Sequence, residues 1–188
     1  MKVIVAQTLD DLMKVMVIRG IVFMGEQKHP YNTEFDANEL VNRTHLLALQ
    51  DKEPVGTMRI MKDGKEAKFE RLAVLPDYRG KGTAEDIMQA ALDYCQEEKV
   101  ERVFLFCKPE LVKYWKDRGF TKVGGDKILK YGKMLLVPVM KQIQEKTSET
   151  YDYQQIPEIL KHHPGEWINS SQDNMALIMR EKLRQRNL

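Results

Sequence analysis

Phe69-Glu70-Arg71-Leu72-Ala73-Val74-Leu75, followed by Pro76-Asp77-Tyr78 and then Arg79-Gly80-Lys81-Gly82-Thr83-Ala84, passes from an apolar run through a glycine-rich turn into a helix-forming stretch. The run from Lys68 to Leu75 reads as a strand closed by Pro76. Thr83 to Glu97 places Ala84, Ile87, Met88, Ala91, Leu92 and Cys95 on one helical face. A glycine turn between a strand and a helix leaves backbone N–H groups free at the helix start, a ready site for a phosphate or pyrophosphate. Glycine suits the turn because a side chain would hold a ligand off the backbone and penalise left-handed angles. An ordinary strand–helix turn without a ligand is the competing reading.

On the N-terminal side, Thr8 and Asp11 form a potential capping box. Leu9, Leu12, Val15, Met16, Arg19 and Val22 follow on one side of a helix expected over 9–24. The polar, irregular stretch from Gly25 to Leu40 reads as a loop or short helices over a groove. Thr44–Gln50 and Val55–Met61 form a hairpin about Asp51-Lys52-Glu53-Pro54, and a second turn leads into Lys68–Leu75. On the C-terminal side, Val103–Cys107 reads as a central strand, and Glu110–Arg118 as a short helix stopped by Gly119. Phe120–Val123 and Lys133–Met140 are further strands. A meander followed by a strand–helix–strand–helix–strand unit implies a mixed sheet with helices on both faces.

Beyond Met140 the texture turns polar through Gln155, and Ile156–Leu160 reads as a helical turn or two. Ser170 and Asp173 can cap a last helix carrying Ala176, Met179 and Leu183. Its Arg180, Lys182, Arg184 and Arg186 lie near the C-terminal end, where they either complement the helix dipole on a wet surface or form a nucleic-acid or membrane patch. Trp167 and Ile168 add to more apolar surface than a free linker needs. The tail is therefore expected to pack on its own chain or on a second copy, a possible homodimer.

The 188 residues can bury one core and carry an appendage. With 43% apolar and 31% charged residues the chain reads as globular rather than disordered. Thirty Lys and Arg against twenty-eight Asp and Glu give no argument for a nucleic-acid partner. Cys95 and Cys107 lack ligand spacing, so no metal site or disulfide is expected, and two reduced thiols suit a cytoplasmic protein. No run approaches a membrane span.

Several side chains could carry chemistry. Glu70, on the strand that feeds the turn, could accept a proton if a groove raised its pKa, or could simply pair with Lys68 or Arg71. Tyr114 has a titratable hydroxyl, whereas Trp115 reads as core or groove wall. Glu26 and His29 would line a substrate groove if their loop covers one.

The run Glu70 to Ala84 resembles the signature of the GNAT superfamily of N-acetyltransferases. There, an Arg or Gln, two residues, a Gly, one residue and a Gly or Ala wrap the acetyl-CoA pyrophosphate, and Arg79, Gly82 and Ala84 match. Tyr114-Trp115-Lys116-Asp117-Arg118-Gly119-Phe120 resembles the second family element, and Val55-Gly56-Thr57 and Phe23-Met24-Gly25-Glu26-Gln27 extend the likeness over about residues 1–140. The resemblance implies an α+β acyl-CoA N-acyltransferase fold. Its mixed, mainly antiparallel central sheet would be flanked by helices over 1–140, with a linker and helical C-terminal extension over 141–188.

It also implies transfer of an acetyl group from acetyl-CoA to a bound amine, with coenzyme A as product. Backbone groups of Leu72, Ala73 and Val74 would hold the thioester and pantetheine, and Arg79, Gly80, Lys81, Gly82, Thr83 and Ala84 the pyrophosphate. Glu70 matches a position where many members place the base. Many members also carry a tyrosine acid four residues before the second-motif glycine. Trp115 stands there in this chain, and Tyr114 is turned about 100° away on an ideal helix. That departure, with the added tail, leaves a second reading open: a non-catalytic acyl-CoA-binding module that docks on a protein partner.

Overall fold

The computed structural model describes residues 1–35, 39, 43–131, 134–144, 151–161 and 165–169. In chain order the elements are β1 (Lys2–Val5), α1 (Leu9–Arg19), a π-helical segment (Gly20–Glu26), α2 (Tyr31–Glu34), β2 (Arg43–Gln50), β3 (Glu53–Asp63), β4 (Glu66–Val74) and α3 (Thr83–Glu97). There follow β5 (Arg102–Cys107), α4 (Val112–Lys116), β6 (Thr121–Lys122), β7 (Lys127–Tyr131), β8 (Met134–Gln142), α5 (Glu158–Lys161) and β9 (Glu166–Asn169). The fold is α+β, a mixed and mainly antiparallel sheet flanked by helices. Packing divides it into a unit built on Met1–Val103 and a unit built on Phe104–Lys141 with later residues. The boundary expected near residue 140 rests on composition instead.

In the first unit β1, β2, β3 and β4 pair antiparallel in that order. Asp51 and Lys52 both take left-handed angles, φ 53° and 72°, which suits the twist of a tight hairpin. Thr8 caps α1 as its sequence implies: its hydroxyl accepts from Asp11 N–H at 3.1 Å, and the Asp11 carboxylate accepts from Thr8 N–H at 3.2 Å. The helix does not run on as α to residue 24. It widens into the π-helical segment, in which Gln27 N–H reaches back five residues to the Val22 carbonyl at 3.1 Å.

Val15, Ile18 and Val22 bury against Leu47 and Ala73 on one sheet face. Gly56 faces the other way, where a Cβ would stand 2.7 Å from Ile87 Cδ1, so glycine there lets α3 lie close on β3. Helices thus cover both faces of the sheet.

Between the pairs Thr57↔Ala73 and Arg59↔Glu70, β3 advances two residues and β4 three. The extra residue is a β-bulge, and Arg71 takes φ 54° within it. A non-glycine residue in that region is strained by about 1–3 kcal/mol. The Arg71 side chain offsets this by donating to Thr33 O at 2.9 Å and pairing with Glu34 at 3.0 Å.

In the second unit β7 and β8 pair antiparallel, and β6 pairs with β8. The expected strand over 133–140 is β8, and the short helix at 110–118 is α4 preceded by a 3-10 turn at Pro109–Leu111. Gly119, φ 83°, ends the helical stretch in the left-handed conformation anticipated for it. The tail contributes α5 and a strand that its composition did not suggest. In β9, Trp167 pairs with Leu129 and Ile168 with Ile128, so residues 166–169 fold back on their own chain. Gly165 permits the entry, since a Cβ there would stand 2.8 Å from Lys130 O. The helix expected from Ser170, with Ala176, Met179 and Leu183, lies outside the described residues.

Candidate functional site

Gly80 (φ 68°) and Gly82 (φ 84°) both adopt left-handed angles, and Gly82 is the residue from which α3 departs. A Cβ at either would meet no atom within 4 Å, so backbone angle alone demands glycine in the protein by itself, and open space lies above the turn. Asp86 N–H donates to Gly82 O at 2.9 Å. Thr83 ties the turn down by donating its hydroxyl to Tyr78 O at 2.9 Å. The turn is a shaped, uncovered helix N-terminus, which fits a pyrophosphate.

Immediately beside this turn, Val22, Glu26, Gln27, Leu72, Ala73, Val74 and Arg79 enclose an open pocket of about 190 Å³. The expected cofactor residues Leu72, Ala73, Val74 and Arg79 and the expected substrate residue Glu26 therefore share one cavity. The π-helical turn places Val22, Glu26 and Gln27 on one side, and the bulged end of β4 supplies the other. Arg79 spans the opening. Its Nε donates to Val74 O at 2.9 Å, and its two terminal nitrogens donate to the Glu26 carboxylate at 3.1 and 2.5 Å. Both partners are largely exposed; the Arg79 hydrogen bond holds the Glu26 carboxyl below its ordinary pKa. Lys81 stands over the Tyr78 ring at 5.8 Å. His29 stacks on Phe23, centroids 5.6 Å apart, and is not among the residues enclosing the pocket.

Glu70 does not have the raised pKa that a proton acceptor would need. Burial pushes it up, but Lys68 at 2.6 Å and Arg59 at 2.9 Å, with Arg71 nearby, more than offset this and hold it at about 2. The pairing read as the alternative, with Lys68, is the one formed.

Glu70 belongs to a buried ionic cluster. Arg59 also donates to Glu39 at 3.0 Å. Arg19, fully buried, donates to Glu34 at 2.5 Å, to Glu39 at 2.6 and 2.9 Å, and to Glu34 O at 2.6 Å. Burial pushes Glu34 up in spite of Arg71 and Arg19, whereas Arg19 and Arg59 outweigh burial at Glu39 and lower it. Sequence reasoning missed the cluster. Its signals were Arg19 on the apolar side of α1 and Arg59 inside an apolar strand, places where a cation is buried only with partners.

In the second unit, Trp115 is buried and meets Phe120 edge-on at 5.2 Å, which makes it core. Tyr114 is half-buried, with the Arg118 guanidinium 3.5 Å from its ring centre. Burial pushes both thiols, Cys95 and Cys107, to about 12, so neither is a nucleophile near neutrality. Among the described residues no cluster of His, Cys, Asp and Glu could hold a metal, and no helix is long and apolar enough to cross a membrane.

A bulged sheet thus meets a glycine turn at a helix start, with an arginine across the adjoining pocket. The acetyltransferase (GNAT) family model matches residues 13–120, and the chain belongs to that family. It is 30% identical over 134 residues to the uncharacterised N-acetyltransferase YjcF of Bacillus subtilis, covering 70% of this chain and 94% of that one. Among solved structures it resembles an acyl-CoA N-acyltransferase from Pseudomonas aeruginosa, with TM-score 0.67 at 22% identity over 74% of this chain and 98% of that one. It also resembles Escherichia coli ElaA, with TM-score 0.65 at 21% identity over 75% and 99%.

Proposed function

We propose that the protein transfers an acetyl group from acetyl-CoA to a primary amine of a small molecule or peptide, by direct attack while both are bound. The observation that carries this reading is the pocket lined by Leu72, Ala73, Val74 and Arg79, which the left-handed glycine turn Gly80–Gly82 follows directly in the chain. Acetyl-CoA supplies a thioester whose carbonyl carbon takes the amine nitrogen and whose sulfur departs as the thiolate. The N–H groups of Gly80–Ala84 hold the pyrophosphate, helped by the α3 dipole. The backbone of Leu72–Val74 aligns the thioester arm and offers hydrogen bonds to the oxygen as charge develops on it.

Glu70, at about 2, is a poor proton acceptor at neutral pH. Its part is to fix Arg59 and Lys68 under the bulge; the amine reacts as its free base, and the proton it sheds on becoming an amide passes to solvent. The coenzyme A thiolate leaves without a side-chain acid, since Trp115 rather than Tyr114 stands where many relatives carry the tyrosine. The rate should then rise with pH up to the pKa of the amine used, and Tyr114→Phe should leave it unchanged. The test is release of coenzyme A thiol from acetyl-CoA on addition of amines from a broad panel.

A non-catalytic acyl-CoA-binding role is the second reading. It is favoured by the fixed pairing of Glu70 and the burial of Trp115 where many relatives place the acid. Bound acetyl-CoA with no thiol release from any amine, together with a co-purifying protein, would select it.

A further inference from the structure

Among the described residues Arg79 has two partners, and both lie on the pocket it crosses. One is the Glu26 carboxylate at the end of the π-helical turn; the other is the Val74 carbonyl at the end of β4. The geometry points to a latch: Glu26 holds Arg79 across the empty pocket as a stand-in for the pyrophosphate, and cofactor binding exchanges that partner, turning the Glu26 carboxylate into the receptor for the ammonium of a cationic acceptor. This rests on the cofactor reading proposed above.

Three features support the exchange. A guanidinium forked onto a carboxylate by two nitrogens uses the same donors, in the same plane, that it would offer to phosphate oxygens, so Arg79 cannot serve both in full. The pair is also cheap to break, because both side chains are largely solvated, and exposed ion pairs contribute little. Finally, Glu26 lines the pocket itself, beside Gln27 and opposite Leu72 and Ala73. Once it loses Arg79 it leaves an unpaired anion at the wall of that cavity, which a cation can neutralise. The Val74 carbonyl, given up by Arg79 Nε in the same movement, becomes an acceptor for an amide N–H of the thioester arm. The consequence is a preference for acceptors that are cationic near the reacting nitrogen.

Isothermal titration of acetyl-CoA into the full chain and into Glu26→Gln tests the latch without requiring turnover. Removing the competing carboxylate should tighten acetyl-CoA by about two- to fivefold, the range of an exposed ion pair. In steady-state assays with spermidine and with benzylamine, the variant should raise KM for the polycation several-fold more than for the monoamine, with KM for acetyl-CoA lower. Affinity for acetyl-CoA that is unchanged or weaker in Glu26→Gln would overturn the latch and leave the cofactor site standing. An equal effect on both amines would overturn the receptor role. A wild-type protein that takes up no acetyl-CoA would overturn the cofactor reading and the latch together.

Discussion

Two arginine–glutamate assemblies in the first unit use the same chemistry at opposite ends of the burial scale. Arg59 and Arg19 are at most 2% exposed and share Glu70, Glu39 and Glu34 under the β4 bulge. Arg79 and Glu26 meet at the pocket mouth with side chains 45% and 37% exposed. Water decides what each can do. The buried set cannot be opened without stranding a charge in a poorly solvated place, so it fixes the backbone on which the site is built. The exposed pair loses little on separation, because water takes the place of each partner, and so it is free to trade one anion for another.

The largest effect that would break this contrast is on stability. Arg59→Met should cost about 3–5 kcal/mol by urea unfolding, since it leaves Glu39 and Glu70 short of a cation. A loss below about 1 kcal/mol would show that the cluster is no more structural than a surface pair.

The next effect is on the acid limb. Glu70 is held at about 2 when folded, against an ordinary 4.5, so the unfolded chain binds the proton more tightly. Its stabilising contribution is complete above about pH 4.5 and is lost as pH falls toward 2, amounting to a few kcal/mol. The difference in unfolding free energy between wild type and Glu70→Gln should therefore shrink across that window. A constant difference from pH 6 to pH 2 would mean that Glu70 is not ion-paired in solution.

The smallest expected effect lies at the mouth. Glu26→Gln should leave the thermal midpoint at neutral pH within experimental error of wild type. A clear drop would make the Glu26–Arg79 pair a structural tie and remove its freedom to exchange.

Much of the scaffold could be read from residue order. The Thr8–Asp11 capping box, the β2–β3 hairpin, the glycine turn and α3 are each set by side chains close together in sequence, where local chemistry suffices. What stayed hidden depends on distant partners. The β4 bulge is invisible in Glu70-Arg71-Leu72 because Arg71 takes its left-handed angle against Thr33 and Glu34, nearly forty positions away. β9 was hidden for a similar reason: Glu166-Trp167-Ile168-Asn169 becomes a strand only by finding β7. Arg79 and Glu26 were both singled out, but for different ligands, and nothing local showed that they would meet. For Glu70 the sequence left two readings, a carboxyl raised by burial or one paired with Lys68 or Arg71. Three cations beneath it reverse the sign, and only the folded register β3 to β4 brings Arg59 among them.

On the proposed function, the open turn Gly80–Ala84 and the pocket beside it hold acetyl-CoA. Isothermal titration of acetyl-CoA into the wild-type protein and into Gly82→Asp, each first shown to be folded by circular dichroism, tests it most directly. Aspartate puts a side chain and a negative charge into the space above the turn. The account predicts saturable binding to wild type at one site per chain, and affinity at least tenfold weaker in the variant, about 1.4 kcal/mol. Equal affinity in the two folded proteins would contradict it.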